Sequence, residues 1–134
     1  MKKSQLQFRN PILTKIEYKI NNEFNGDNEI KLNIDLATVI KKNDDKAIVE
    51  VLLKIFDKND FEKIPFFIEI GMKGDFSWEK NSDENFIDKL LETNGPAILI
   101  SYIRPYVSSL TSGSGFAPLV LPLFNLSDNK VEYR

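Results

Sequence analysis

Between Ile12 and Phe76 the chain alternates. Four separate runs place apolar residues at every second position, the period of a strand with one dry face and one wet face, so a sheet is the first commitment of this sequence. In the first run Ile12, Thr14, Ile16, Tyr18 and Ile20 alternate with Leu13, Lys15, Glu17, Lys19 and Asn21. Asn25-Gly26-Asp27-Asn28 breaks it, a cluster suited to positive φ and to side-chain bonds that close a turn. The second run sets Ile30, Leu32, Ile34 and Leu36 against Lys31, Asn33 and Asp35, and leaves through the charged stretch Lys41-Lys42-Asn43-Asp44-Asp45-Lys46, which reads as a solvated loop. The third, Ala47 to Phe56, puts Val49, Val51, Leu53 and Ile55 on one face and a mixed set on the other. The fourth runs from Ile64 to Phe76, where Gly71 and Gly74 predict a bulge or kink. Short polar joints predict an antiparallel meander of four strands, because parallel pairs need long crossovers.

After Trp78 the period becomes helical. Asn81-Ser82-Asp83-Glu84 supplies a cap and an acidic first turn, and Phe86, Ile87, Leu90 and Leu91 recur at helix spacing. Asn94-Gly95 predicts a stop, so this first helix is short. Pro96 then predicts the start of a long helix running to about Ser112, with a kink near Ile100 to Tyr102 caused by Pro105. Leu99, Ile103, Tyr106, Val107 and Leu110 make one stripe, but Ile98, Ile100 and Tyr102 fall off it. One sheet face dries only a stripe. A second copy of the chain is the simplest cover for the rest, which predicts an oligomer contacting itself through Ile98, Ile100, Tyr102, Ile103 and Tyr106. Phe116 to Leu126 carries two prolines and reads as an extended apolar strap. The chain of 134 residues is expected to be one α+β domain, with residues 1–10 flexible and a polar, frayed tail over residues 127–134.

What the chain lacks narrows its function. Without His or Cys there is no imidazole base, no thiolate metal site and no disulfide, which argues against an enzyme and predicts no cofactor or metal. A net charge of -2 leaves no basic footprint for nucleic acid. No apolar run approaches a bilayer span, and the basic start has no apolar segment behind it, so the expected location is cytoplasmic. Ten Phe, one Trp and four Tyr are more rings than one sheet-helix layer hides, so several are expected on an open surface, Phe67 first among them. Gly113-Ser114-Gly115 is no phosphate loop, since no Lys follows and a helix ends there.

The last third contains Gly95-Pro96-Ala97-Ile98-Leu99-Ile100-Ser101-Tyr102-Ile103-Arg104, then Ser108-Ser109-Leu110-Thr111-Ser112, then Gly115-Phe116-Ala117-Pro118-Leu119-Val120-Leu121 and Asn125. In these residues it resembles the bacterial SecB export-chaperone family. Weaker similarity lies in Lys15-Ile16-Glu17-Tyr18, in Glu29 to Asp35 and in Phe67-Ile68-Glu69-Ile70. The resemblance implies a four-stranded antiparallel sheet backed by a long helix and assembled as a dimer of dimers. It also implies ATP-independent holding of unfolded polypeptides or preproteins in apolar grooves, and delivery to the SecA motor. Ile30 and Leu32 would then lie in the client groove, and Phe67 and Glu69 would touch SecA. With Ile34, Phe76, Phe116, Leu119 and Leu121 these form the expected groove of second strand, fourth-strand aromatics and strap. Lys15 and Lys19 stand where the family carries acidic residues on its SecA-facing surface, which reverses the Coulomb interaction there. That departure suits the family's relatives that guard an antitoxin. A carrier of a small apolar ligand is the remaining alternative.

Overall fold

The computed structural model describes residues 5–26, 30–127 and 129–134, so the Asp27-Asn28 half of the expected turn, Glu29 and the first four residues lie outside the described residues. Strand β1 spans Gln7–Ile20, β2 Ile34–Asn43, β3 Lys46–Ile55 and β4 Phe66–Ser77; helix α1 spans Glu84–Gly113 and strand β5 Val131–Tyr133. A 3₁₀ segment, Lys58–Lys63, joins β3 to β4 and is capped by the Asp57 side chain, which accepts from the Asn59 N–H. The four alternating runs do become strands. They do not form a simple four-stranded meander.

The sheet has five strands in the order β1-β4-β3-β2-β5. β2, β3 and β4 are consecutive antiparallel neighbours, β1 pairs antiparallel with the far side of β4, and β5 pairs parallel with β2. At the end of β1, Asn21 donates its backbone N–H to Pro65 O at 2.8 Å and its side-chain amide to Phe61 O and Ile64 O. Pairing with β4 also stacks Tyr18 beside Ile68 and Ile16 beside Ile70 on the face that bears the core. The expected irregularity beside Gly71 exists, but the extra residue belongs to β1, whose register shifts between Leu13 and Lys15. A Cβ on Gly71 would stand 2.5 Å from Thr14 Oγ1, so the glycine makes room for the bulged strand.

The two helices expected after Trp78 are one continuous helix of 30 residues. Asn94-Gly95 does not end it, because Gly95 lies where the helix axis runs closest to β3: a Cβ there would touch Val49 Cγ2 at 3.5 Å and Phe76 Cζ at 3.8 Å. Pro96 and Pro105 forfeit their N–H bonds inside the helix, a loss offset by packing on the sheet. The buried stripe is Ile87, Leu91, Gly95, Pro96, Leu99, Ile100, Ile103, Val107 and Thr111. It lies on Val49, Val51, Leu53, Ile68, Ile70, Met72 and Phe76, which forms one continuous core. Ile100 therefore belongs to the stripe and Tyr106 does not.

The described residues of both termini are more ordered than expected. Leu6 is buried and β1 already begins at Gln7; the tail forms β5, with the Arg134 N–H donating to Ile40 O at 2.9 Å. Among the described residues no helix is long and apolar enough to cross a membrane, and no cluster of carboxylates is arranged to hold a metal ion.

Candidate functional site

The strap fixes the geometry of the site. It leaves the helix through Gly115, whose φ of 84° turns the chain back, and it then runs antiparallel to α1. Polar atoms of the helix hold its backbone. Thr111 Oγ1 accepts from the Leu119 N–H at 2.9 Å, Ser108 donates to Leu119 O at 3.1 Å, and the Arg104 guanidinium donates to both Leu121 O and Pro122 O while lying 5.8 Å from the Phe124 ring. Leu121 is buried and Leu119, Phe116 and Phe124 are half-buried against the core. Their outward neighbours Val120 and Leu123 are 78% and 93% exposed. The strap thus packs one set of side chains against the core and offers an apolar set to water.

Of the residues expected in the groove, some come together and others do not. Ile34 pairs opposite Ile55 at the start of β2, and Phe116 packs on Phe66, centroids 5.2 Å apart, at the same end of the sheet. Ile30 is half-buried on the core and Leu32 is exposed, but both precede β2, which begins at Ile34. Phe76 is buried at the opposite end of the sheet, under α1 and against Phe8 at 5.1 Å. Phe67 lies on the face away from the helix and is buried too, because Phe61 of the 3₁₀ segment covers it edge-on at 6.0 Å. The expectation of exposed rings is thereby corrected for Phe67, whereas Phe86, Tyr102, Tyr106 and Tyr133 are exposed. Phe66 packs against Tyr18, Phe56 and Phe116.

That surface has a second part. The helix lies over β3 and β4 and leaves β1 bare, so Leu13 and Ile16 of β1 and Tyr102 and Tyr106 of α1 stay exposed on the helix side, with Phe8 5.7 Å from Tyr102. Of the residues expected at an oligomer interface, Tyr102 and Tyr106 are therefore accessible, Ile98 is half-buried, and Ile100 and Ile103 are buried within the chain, Ile103 in the core against the sheet.

The opposite sheet face is mixed, with Ile12 and Ile48 exposed among its charged residues, and carries Glu69. This carboxylate is 4% exposed and accepts from Lys15 Nζ at 2.7 Å, with Lys58 Nζ at 3.9 Å. The Lys15 hydrogen bond, resisted in part by desolvation, holds the Glu69 carboxyl below the ordinary carboxylate range and raises the Lys15 ammonium. At the far end of the molecule Lys42 donates to Asp88 Oδ1 at 2.6 Å, and Tyr133 donates to Glu92 Oε2 at 2.8 Å; burial, then that carboxylate, pushes the Tyr133 phenol far up. Leu13, Ile16, Val120, Leu123 and the Val131–Tyr133 segment escaped the sequence reading. The alternation of Val131-Glu132-Tyr133 was the only signal available for the last of these.

Comparison with known proteins fits this architecture. The family model for the preprotein translocase subunit SecB matches residues 15–128. An uncharacterized protein of Methanocaldococcus jannaschii is 31% identical over 131 residues, covering 93% of this chain and 82% of its own. The protein-export protein SecB of Anaplasma phagocytophilum is 36% identical over 84 residues, 60% of this chain and 53% of that one, and the SecB of Anaplasma marginale is 26% identical over 126 residues, 90% and 71%. Among solved structures, a Mycobacterium tuberculosis SecB-like chaperone in complex with a ChAD peptide from the HigA1 antitoxin shares the fold at a TM-score of 0.73 and 16% identity, covering 90% of this chain and 91% of that one. The match of the family model over residues 15–128 makes this chain a member of the SecB chaperone family.

Proposed function

We propose that the chain is a holding chaperone that binds extended, unfolded polypeptide segments without nucleotide, along the surface formed by the strap, the approach to β2 and the exposed part of the helix. The observation that carries this reading is the strap itself. Val120 and Leu123 are almost fully in water although Leu119 and Leu121, one and two residues away, are anchored to α1, so the exposed side chains are held in place and do not collapse onto the body. A preorganised apolar rim beside a sheet edge suits a client that arrives as an extended chain, with main-chain bonds giving affinity and apolar side chains adding to it. Such a surface lacks the closed pocket that a small-ligand carrier needs. A homo-oligomer, by family a dimer of dimers, working in the cytoplasm is part of this reading.

The test is suppression of aggregation of a chemically unfolded client in the absence of ATP. Leu32→Asp combined with Leu123→Asp changes two exposed positions, so the fold should persist while holding activity falls at least tenfold. Full activity in a folded double variant rejects the surface.

For delivery, the Lys15–Glu69 pair favours a dedicated partner over the SecA motor. Glu69 is buried and neutralised within the chain, which weakens steering toward a basic surface. An antitoxin-like client, of the kind bound by the Mycobacterium tuberculosis neighbour, fits that chemistry. Tight binding to one partner with little help to random clients would support it, and SecA binding by this chain would reject it.

A further inference from the structure

β2 is an edge strand with a short occupant. It spans Ile34–Asn43, but β5 pairs only with Thr38, Val39 and Ile40. The occupant is three residues long and parallel, whereas the other pairs of the sheet are antiparallel and long. Parallel pairing is the weaker kind per residue, and three residues of it hold little. Two side-chain contacts help fix the segment: Asn129 donates to Thr38 Oγ1 at 2.9 Å, and Tyr133 donates to Glu92 on α1. Val131 and Tyr133 stand beside Thr38 and Ile40 on the helix side, while Glu132 stands beside Val39 on the other face. An apolar residue, a polar one and an aromatic one in extended form on this edge are what an unfolded client strand would present there.

We propose that the outer edge of β2 is a docking edge for the backbone of an extended polypeptide, and that residues 131–134 are its internal placeholder, displaced when a client pairs with β2. This rests on the holding-chaperone reading and specifies where the client backbone lies. The client would continue along Ile34–Ala37, positions that β5 leaves unpaired on this side, beside the strap that already carries the apolar rim. Because the placeholder competes, the observed affinity is the intrinsic one reduced by the fraction of molecules with an open edge.

The chain has no cysteine, so Thr38→Cys with Val131→Cys introduces a single pair at directly opposed positions, and neighbouring strands hold Cα atoms at a spacing a disulfide accepts. Binding of reduced, carboxymethylated α-lactalbumin would be measured with the full chain in both redox states. The oxidised, locked protein should bind at least about threefold more weakly than the same protein after reduction. Glu132→Pro, which removes a backbone donor from the placeholder, should bind the probe more tightly than the unaltered chain. Equal binding by locked and reduced protein overturns the docking edge while leaving the holding surface standing; no binding by the unaltered chain overturns both.

Discussion

Lys15 of β1 donates to Glu69 of β4 at 2.7 Å, and the two residues are diagonal neighbours on one sheet face, two positions out of register, since Glu69 is directly opposite Glu17. Two carboxylates facing each other on one sheet face repel. Lys15, 3.7 Å from Glu17, and Lys58, 3.6 Å from Glu17 and 3.9 Å from Glu69, bridge them. The cation that departs from the resembled family's acidic pattern therefore has a structural task here. It keeps a buried carboxylate charged.

The pH dependence follows with a definite sign. The folded state holds the Glu69 carboxyl below its ordinary value, so the pair contributes fully above the unfolded carboxylate pKa, near 4.5, and the contribution disappears as pH falls through the lower folded value. Glu69→Gln should cost about 1 kcal/mol at pH 7, a figure discounted because Lys15 is exposed, and less at pH 3. Urea denaturation of both proteins at the two pH values checks this; a gap that persists unchanged in acid rejects it.

Glycines on the two sides of the core should respond oppositely to a methyl group. At Gly95 the added Cβ meets Val49 and Phe76 at ordinary contact distance inside a helix, so Gly95→Ala should stabilise by about 0.5–1 kcal/mol. At Gly74 it would overlap the Phe8 ring and crowd Leu99 Cδ2 at 3.2 Å, so Gly74→Ala should destabilise by about 1–3 kcal/mol. Thermal unfolding of the two variants gives the signs directly.

Arg104 should control the strap. Its fork holds two successive carbonyls, of Leu121 and Pro122, a geometry that a lysine ammonium does not reproduce. Arg104→Ala should cost about 1–3 kcal/mol and bring protease cleavage into residues 117–125; Arg104→Lys should recover only part of the loss. Limited proteolysis with mass mapping reads the result, and a strap as resistant as before rejects the clamp.

These sites show what alternation reveals and what it hides. β2, β3 and β4 were legible because apolar residues recur at alternate positions in each, which puts Leu36, Ile40, Val49, Val51, Leu53, Ile68, Ile70 and Met72 on the core face. Thr14 was not legible as a bulge: the extra residue brings Leu13 and Ile16 to the same face, although counting by twos assigns them to opposite faces. Phe67 looked exposed because its cover, Phe61, sits in a 3₁₀ turn with no periodic signature. Asn94-Gly95 looked like a helix end because local propensity says nothing of Val49 lying underneath. Tyr102 and Tyr106 were expected on an open helix face, and they are exposed; Ile100 and Ile103 were assigned to it as well, since a helix apolar nearly all round gives no phase.

The face that the helix leaves uncovered yields the last prediction. Leu13, Ile16, Tyr102 and Tyr106 are each exposed, yet they flank one side of α1 together, where β1 extends beyond the helix. Apolar residues clustered in this way destabilise a lone chain in water less than they reward a second copy, because removing each from water contributes about 25 cal/mol per Å². The contact expected for an oligomer therefore shifts from Ile100 and Ile103 onto β1, and a two-fold axis would place the same four residues on both copies. Leu13→Asp with Ile16→Asp introduces two charges at positions that the fold itself does not bury, so each chain should remain folded by circular dichroism. Sedimentation should then give a mass near the 15.4 kDa of one chain, with dimer affinity at least about tenfold below that of the unaltered protein. Identical sedimentation of the variant and the unaltered oligomer would move the interface off β1.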